Sequence, residues 1–113
     1  MIKTKLFVDD ERYPVDFPID DSWEIARSFH EAIYLLERNT YEVVSLDHDI
    51  QSFYGNREMT GRDILNWLIA QKLAGLYTPS TVIQHTQNAV GMQSMQADIE
   101  RYWPWANSLS VQR

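Results

Sequence analysis

Four short apolar runs divide the chain, and each of them predicts a β-strand. The runs are residues 2–8, 23–26, 41–46 and 81–84. Valine, isoleucine, threonine and aromatic side chains are frequent in these runs, and such residues suit a pleated and largely buried surface. The run at 41–46 fits a buried central strand of a sheet, because it is short and contains β-branched residues.

Amphipathic stretches follow the last three runs and predict helices over 28–39, 60–75 and from 88 to the proline at 104. Their apolar residues recur every three or four positions, which is the spacing of one helix face. Each stretch opens on a residue whose side chain caps helices, namely Ser28, Thr60 and Asn88. Because strands and helices alternate, the pattern predicts one α/β domain over 1–113 with a mostly parallel, four-stranded sheet.

Two segments depart from this alternation. Residues 13–18 contain two prolines, so a loop replaces the helix that would follow the first strand. Residues 51–59 are polar and contain Gly55-Asn56, which predicts a turn-like segment that could form a mobile flap over the ends of the strands.

The charge and the absence of cysteine narrow the class of ligand. The formal net charge is −6, with 10 basic and 16 acidic residues and no run of lysine or arginine, so we expect no binding to duplex DNA. The lack of cysteine excludes disulfides, thiolate zinc sites and thiol catalysis. No apolar stretch is long enough to cross a bilayer, so we expect a cytoplasmic protein with no membrane partner.

Acidic residues follow the first and third predicted strands. Asp9 and Asp10 come directly after the first, and Asp47 follows the third. In a parallel sheet the carboxyl ends of the strands meet at one edge, so these carboxylates could together hold Mg²⁺ or Mn²⁺ and a phosphate carried by the ion. The alternative is that Asp9 and Asp10 only begin a solvated loop.

Neutral donors and arginines at the same edge favour an anionic ligand. The helices after the third and fourth strands should direct free backbone N–H groups toward the carboxylates. The side chains of Thr60, Thr86 and Asn88 add donors, and Arg12 and Arg62 are candidate phosphate clamps. Helix capping explains Thr60 and Asn88 equally well, and Arg62 could simply pair with a nearby acid.

His48 and His85 end the third and fourth predicted strands, which would be neighbours in the sheet. A histidine can take or give a proton near neutral pH, so the pair could act as base and acid on one phosphorus, with Asp47 beside them. Alternation along a strand points His48 away from Asp47, so His48 reaches the site only if the backbone turns. Otherwise His48 is an ion-paired surface residue and His85 a satisfied core histidine.

Several of these segments resemble the cyclic-phosphate-processing receiver-like domains. The resemblance covers most of the chain and rests on four motifs: Leu6-Phe7-Val8-Asp9-Asp10-Glu11-Arg12, Ser45-Leu46-Asp47-His48-Asp49, Thr60-Gly61-Arg62-Asp63 with Leu65-Asn66-Trp67-Leu68, and His85-Thr86-Gln87-Asn88 with Gly91 and Met95. It implies a receiver-like, or flavodoxin-like, fold. The proline loop at 13–18 and the residues after Tyr102 depart from the ordinary receiver, so we expect a small three-layer domain with a degenerate first helix and no fifth strand. The resemblance also implies an acidic pocket, substrate contacts that include Gly61, and histidine-assisted handling of cyclic phosphates.

Three functions follow as hypotheses. The first is a metal-assisted phosphodiesterase acting on a cyclic nucleotide or on an RNA end that carries a 2′,3′-cyclic phosphate. The second is a module that binds such a small phosphorylated ligand without cleaving it. The third is a signalling receiver phosphorylated on Asp47, although the lysine that ordinary receivers carry after a fifth strand has no counterpart after Tyr102.

Overall fold

The computed structural model of the protein describes residues 5–12, 23–86 and 88–104. Its elements in chain order are β1 (Lys5–Val8), β2 (Trp23–Ala26), α1 (Phe29–Arg38), β3 (Val43–Leu46), β4 (Ser52–Tyr54), β5 (Arg57–Met59), α2 (Gly61–Leu73), β6 (Thr81–Gln84) and α3 (Ala89–Tyr102). The predictions for residues 2–4, for the proline loop at 13–18 and for Trp105 lie outside the described residues.

The main sheet has the order β2-β1-β3-β6, and all neighbouring strands are parallel. This arrangement confirms the predicted parallel, four-stranded sheet of a receiver-like α/β domain. Parallel strands must be joined by crossover connections. The crossover from β2 to β3 contains α1, and the crossover from β3 to β6 contains α2. Within the described part of the chain, no fifth strand joins this sheet.

The core lies between one face of the sheet and the three helices. Alternate residues of the strands, among them Leu6, Val8 and Val44, are fully buried against apolar residues of the helices. α1 packs against α2, and α2 packs against α3. Among the described residues, the sheet and this helical layer are therefore two of the three layers that we expected.

The predicted caps are present at the starts of all three helices. The Ser28 hydroxyl accepts a hydrogen bond from the backbone N–H of Glu31 (3.0 Å), and the Asn88 carbonyl oxygen accepts one from Gly91 (3.0 Å). At α2, Asp63 Oδ2 accepts a bond from the backbone N–H of Thr60 (2.7 Å). These bonds satisfy backbone donors that have no partner inside a helix, so the local sequence is sufficient to start each helix.

The segment at 51–59 is more regular than the sequence indicated. Its flanks form an antiparallel hairpin, β4 and β5, around a turn in which Gly55 has a φ of +63°. The turn was predicted, but the strands on either side of it were not. The Ser52 hydroxyl accepts a hydrogen bond from the backbone N–H of Phe29 (3.1 Å), which ties the hairpin to the start of α1. The proposed mobility of this flap stays a prediction.

Trp103 closes the core after the last helix. Its side chain is fully buried, and its indole N–H donates to the carbonyl oxygen of Pro79 (2.9 Å). This confirms the expectation that a tryptophan after α3 belongs to the core. None of the helices in the described ranges is long and apolar enough to span a membrane.

Candidate active site

A row of three side chains crosses the carboxyl edge of the sheet. Val8, Leu46 and Gln84 are in register on β1, β3 and β6, and the next residue of each strand is Asp9, Asp47 or His85. Two hydrogen bonds extend the ladder by this one step, from Asp47 N–H to the Val8 carbonyl (3.0 Å) and from His85 N–H to the Leu46 carbonyl (3.0 Å). One potential metal-ligating atom from each of the three side chains lies within 4.8 Å of the others.

Strand alternation decides which way this row faces. Asp9, Asp47 and His85 lie two positions beyond Phe7, Ser45 and Ile83, which are themselves in register. Residues two apart on a strand point to the same face. The row therefore lies on the face opposite to Leu6, Val8 and Val44, which pack on the helices.

Asp9 is fully buried and accepts four hydrogen bonds. Its Oδ1 accepts from the backbone N–H groups of Glu11 (2.9 Å) and Arg12 (2.8 Å), and its Oδ2 accepts from Arg12 Nε (2.9 Å) and lies 3.1 Å from His85 Nε2. Burial by itself raises the pKa of Asp9, but the two backbone hydrogen bonds and the positive charge of Arg12 outweigh it and hold the pKa below its ordinary value. Asp9 is therefore ionised at neutral pH.

Arg12 bridges the two aspartates of the row. Its Nε contacts Asp9, and its Nη2 lies 3.3 Å from Oδ2 of Asp47. Arg27 holds this corner in place, because its Nη1 donates to the backbone carbonyls of Asp9 (3.2 Å) and Arg12 (2.7 Å). The positive charge of the guanidinium thus reduces the repulsion between the two neighbouring carboxylates.

Asp47 has the opposite shift from Asp9. Burial raises its pKa, and the negative charge of Asp9 raises it further, which together exceed the lowering by a hydrogen bond with Thr86 and by Arg12. Two neighbouring carboxyl groups whose pKa values are shifted in opposite directions are typical of sites in which one group stays ionised while the other can hold a proton.

The imidazole of His85 is held from three sides. It stacks on the ring of Phe7, with the centroids 4.1 Å apart. Its Nδ1 lies 2.7 Å from the buried hydroxyl of Ser45, and its Nε2 faces Asp9. A hydroxyl can donate or accept, so Ser45 can satisfy Nδ1 whether the ring is neutral or protonated. His85 can therefore change its protonation state without leaving a nitrogen unpaired.

Ser45 and Phe7 are site residues that sequence reasoning missed. Both lie inside apolar runs and look like ordinary strand residues. The signal that could have found them is their spacing, since each lies two positions before an acidic residue of the row and must face the same way.

His48 does not join the row. It follows Asp47, just after the end of β3, and lies on the helical side of the sheet, where its Nδ1 is 2.9 Å from Oδ1 of Asp49. Asn88 donates to the other oxygen of Asp49 (3.0 Å). The ring packs on α3 so closely that a Cβ at Gly91 would lie 2.5 Å from the Cγ of His48. Strand alternation thus separates His48 from His85, and a shared catalytic role stays a prediction.

The other predicted residues have places of their own. Asp10 is half-buried and is not part of the row. Gly61 donates its N–H to the carbonyl of His48 (2.8 Å), and a Cβ there would lie 1.9 Å from the carbonyl oxygen of Asp47, so the start of α2 requires glycine at this contact. Arg62 pairs with Asp98 and also donates to the carbonyl of Ser94 (2.7 Å), which joins α2 to α3.

Thr60 and Asn88 are helix caps, as described above, and Thr86 is the hydrogen-bond partner of Asp47. Of the predicted site residues, the structure therefore places five close together: Asp9, Asp47, His85, Arg12 and Thr86. Ligand contacts by Thr60, Gly61, Arg62 and Asn88 stay predictions, since each of these residues has a structural task in the protein alone.

The donor set of the row fits a divalent cation. Two carboxylates and one imidazole offer ligand atoms that are close enough to share one ion. Carboxylates suit Mg²⁺ and Mn²⁺, while an imidazole ligand favours the transition metals over Mg²⁺. This group contains His85 and not Asp10, so a metal contact by Asp10 stays a prediction.

A comparison with known protein families matches residues 4–101 to the cyclic-phosphate processing receiver domain. No curated protein and no solved structure gives a match to the chain. The matched range contains the whole row, α1, α2 and all of α3 except its last residue, Tyr102.

Proposed function

The chain belongs to the cyclic-phosphate processing receiver family, and we propose that it is a phosphoesterase that opens cyclic phosphates on nucleotides or RNA ends. The observation that carries the proposal is the row of Asp9, Asp47 and His85 with Arg12 between the two carboxylates. It combines a group that exchanges protons with a cation that binds phosphate, at the edge of the sheet where open α/β folds bind ligands.

Opening a cyclic phosphodiester requires two proton movements. A water oxygen bonds to phosphorus and loses a proton, while the bond from phosphorus to one sugar oxygen breaks and that oxygen gains a proton. His85 would carry out one of these transfers through Nε2, which must exchange its contact with Asp9 for the water or the sugar oxygen while Ser45 holds Nδ1. The predicted partner is His48, which lies on the helical side beside Asp49 and reaches the same phosphorus only if the backbone after β3 turns.

Arg12 and Thr86 are the proposed phosphate ligands closest to the row. The side chain of Arg12 is 37% exposed, so its guanidinium can reach an incoming anion. A planar guanidinium can bind two phosphate oxygens at once and neutralise charge that develops on them. The hydroxyl of Thr86 contacts Asp47 and has a single proton, so it would donate to a phosphate only in place of Asp47.

A divalent cation, if bound, would be held by Asp9, Asp47 and His85. It would supply further neutralisation of the phosphoryl oxygens. A nitrogen that holds a cation cannot also carry a proton, so His85 has one of these two roles in a given state, and metal dependence of the reaction distinguishes them.

The test is hydrolysis of a nucleoside 2′,3′-cyclic monophosphate by the purified full chain. We expect a nucleoside monophosphate as product, detected by ³¹P NMR, with Mg²⁺ or Mn²⁺ present. Loss of turnover with EDTA would assign His85 to the cation, and retained turnover would assign it to proton transfer. Replacement His85→Ala should abolish turnover while the circular dichroism spectrum is retained. His30→Ala is the matched control, because His30 is exposed on α1 and contacts only the hairpin and the helix among its described partners. No turnover across several cyclic substrates would defeat the proposal.

A second candidate is a module that binds a cyclic phosphate without cleaving it. The observation that favours it is that Asp9 and both nitrogens of His85 are already satisfied by partners within the protein. A rigid, satisfied network suits recognition as well as catalysis. Recovery of intact cyclic nucleotide, in one-to-one amount, from the denatured complex would favour binding alone.

A further inference from the structure

We propose that Arg12 and a divalent cation compete for Asp9 and Asp47, and that a phosphate relieves the competition by drawing the guanidinium away. The inference rests on the proposed function, because it concerns the cation and phosphate of the same site. It adds a regulatory step: the cation binds tightly only when a phosphorylated ligand is present.

The first support is the position of the guanidinium. Its Nε is 2.9 Å from Oδ2 of Asp9, and its Nη2 is 3.3 Å from Oδ2 of Asp47. These are carboxylates on adjacent strands, and both belong to the group whose ligand atoms lie within 4.8 Å. Arg12 therefore occupies the position between the two carboxylates that a shared ion would need.

The second support is the number of hydrogen bonds at Asp9. An ionised carboxylate has about four acceptor positions, and Asp9 has a partner at each: two backbone N–H groups, Arg12 Nε and His85 Nε2. A cation at Asp9 must therefore displace a partner. The backbone donors belong to the turn after β1 and move only if that turn changes.

The choice between the two side-chain donors follows from their surroundings. The side chain of His85 is 12% exposed, stacks on Phe7 and contacts Ser45. The side chain of Arg12 is 37% exposed. The guanidinium can therefore leave toward solvent while the imidazole stays and becomes a ligand of the ion.

Charge makes the exchange depend on phosphate. A divalent ion beside a guanidinium is opposed by like-charge repulsion, and this repulsion is strong where water is excluded. A phosphate offers Arg12 a bidentate partner in place of the carboxylates. By thermodynamic linkage, a phosphate that helps the cation to bind is itself bound more tightly in the presence of the cation.

The experiment measures Mn²⁺ binding to the full chain by isothermal titration calorimetry, with and without inorganic phosphate, after correction for Mn²⁺ complexed by phosphate in the buffer. Wild-type protein should bind Mn²⁺ about tenfold more tightly when phosphate is present, which is within the usual range of coupling between two sites. Arg12→Gln should bind Mn²⁺ about tenfold more tightly than wild type without phosphate, and phosphate should change its affinity little.

Two further variants separate this effect from general damage. Arg12→Lys keeps the positive charge and should bind Mn²⁺ as weakly as wild type without phosphate. Arg57→Gln removes a 72% exposed arginine that pairs with Asp63 on the hairpin side and should match wild type in both titrations. Circular dichroism checks that each variant is folded.

Equal or weaker Mn²⁺ binding by folded Arg12→Gln would overturn the inference, as would wild-type affinity that does not respond to phosphate. The proposed phosphoesterase is judged by turnover of a cyclic nucleotide, with EDTA as well as with metal. The two proposals can therefore fail separately.

Discussion

Replacement of Asp9 by Asn tests whether this buried carboxylate is the centre of the site. The change keeps the size of the side chain but removes its charge and places an NH₂ group where an oxygen accepted hydrogen bonds. If the remaining oxygen still faces the backbone donors, the new NH₂ group faces Arg12 Nε, which is a donor as well, and that contact is lost. At His85 Nε2 the NH₂ group finds an acceptor only if the ring carries its proton on Nδ1.

The expected cost is about 3 kcal/mol of unfolding free energy. Loss of one partner from a buried ion pair costs about 3–5 kcal/mol. The lower end applies here, because the side chain of Arg12 is 37% exposed and keeps Asp47 as a partner. A loss of this size is a large part of the roughly 5–15 kcal/mol that stabilises a typical domain.

The assay is urea unfolding followed by circular dichroism at pH 7, and Asp10→Asn is the matched control. Asp10 is the next residue, carries the same chemical group and is only half-buried. We expect its replacement to change the unfolding free energy by less than about 0.5 kcal/mol. A loss below about 1 kcal/mol for Asp9→Asn, or equal losses for the two variants, would refute the argument.

The stabilisation by Asp9 should also depend on pH in a known direction. The pKa of Asp9 in the folded protein lies below its ordinary value of 3.8. Its stabilising contribution is therefore fully present above that value and is lost as the pH falls through the lower, folded-state pKa. The stability difference between wild type and Asp9→Asn should be constant above about pH 5 and should decrease on acidification below about pH 4.

Two other substitutions probe the surroundings. Gly91→Ala should displace the ring of His48, because the new Cβ would lie 2.5 Å from its Cγ, and the ring resonances of His48 in NMR should therefore shift. The unfolding free energy should fall by less than about 2 kcal/mol, because a gain in helix propensity of about 1 kcal/mol partly offsets the strain. Unchanged resonances would contradict the packing of His48 on α3. Trp103→Phe removes the indole N–H that satisfies a buried carbonyl and should lower the unfolding free energy by about 1–3 kcal/mol in the urea assay; an unchanged value would show that water replaces the donor.

The local sequence was sufficient for the four strands of the main sheet and for the three helices, but not for the hairpin strands β4 and β5. Ser28 and Asn88 start helices because their side chains accept from backbone N–H groups three residues on, and at α2 the Asp63 side chain accepts from the backbone N–H of Thr60. Apolar runs flanked by polar residues define strands, and alternating strands and helices leave a parallel sheet as the arrangement. Because parallel strands end at one edge, the sequence also placed Asp9 and Asp47 together, and the structure agrees.

Only the tertiary structure decided which side chains meet. Asp9 and His85 are 76 positions apart, and Arg62 and Asp98 are 36 apart, so their contacts depend on strand register and helix packing. The sequence showed Arg12 as a free phosphate clamp, whereas in the structure it lies between two carboxylates. Hydrophobic patterns and caps act within one or two helical turns. The pairing of charges at the sheet edge is a property of the whole packed domain, since burial and register together determine which donor each carboxylate finds.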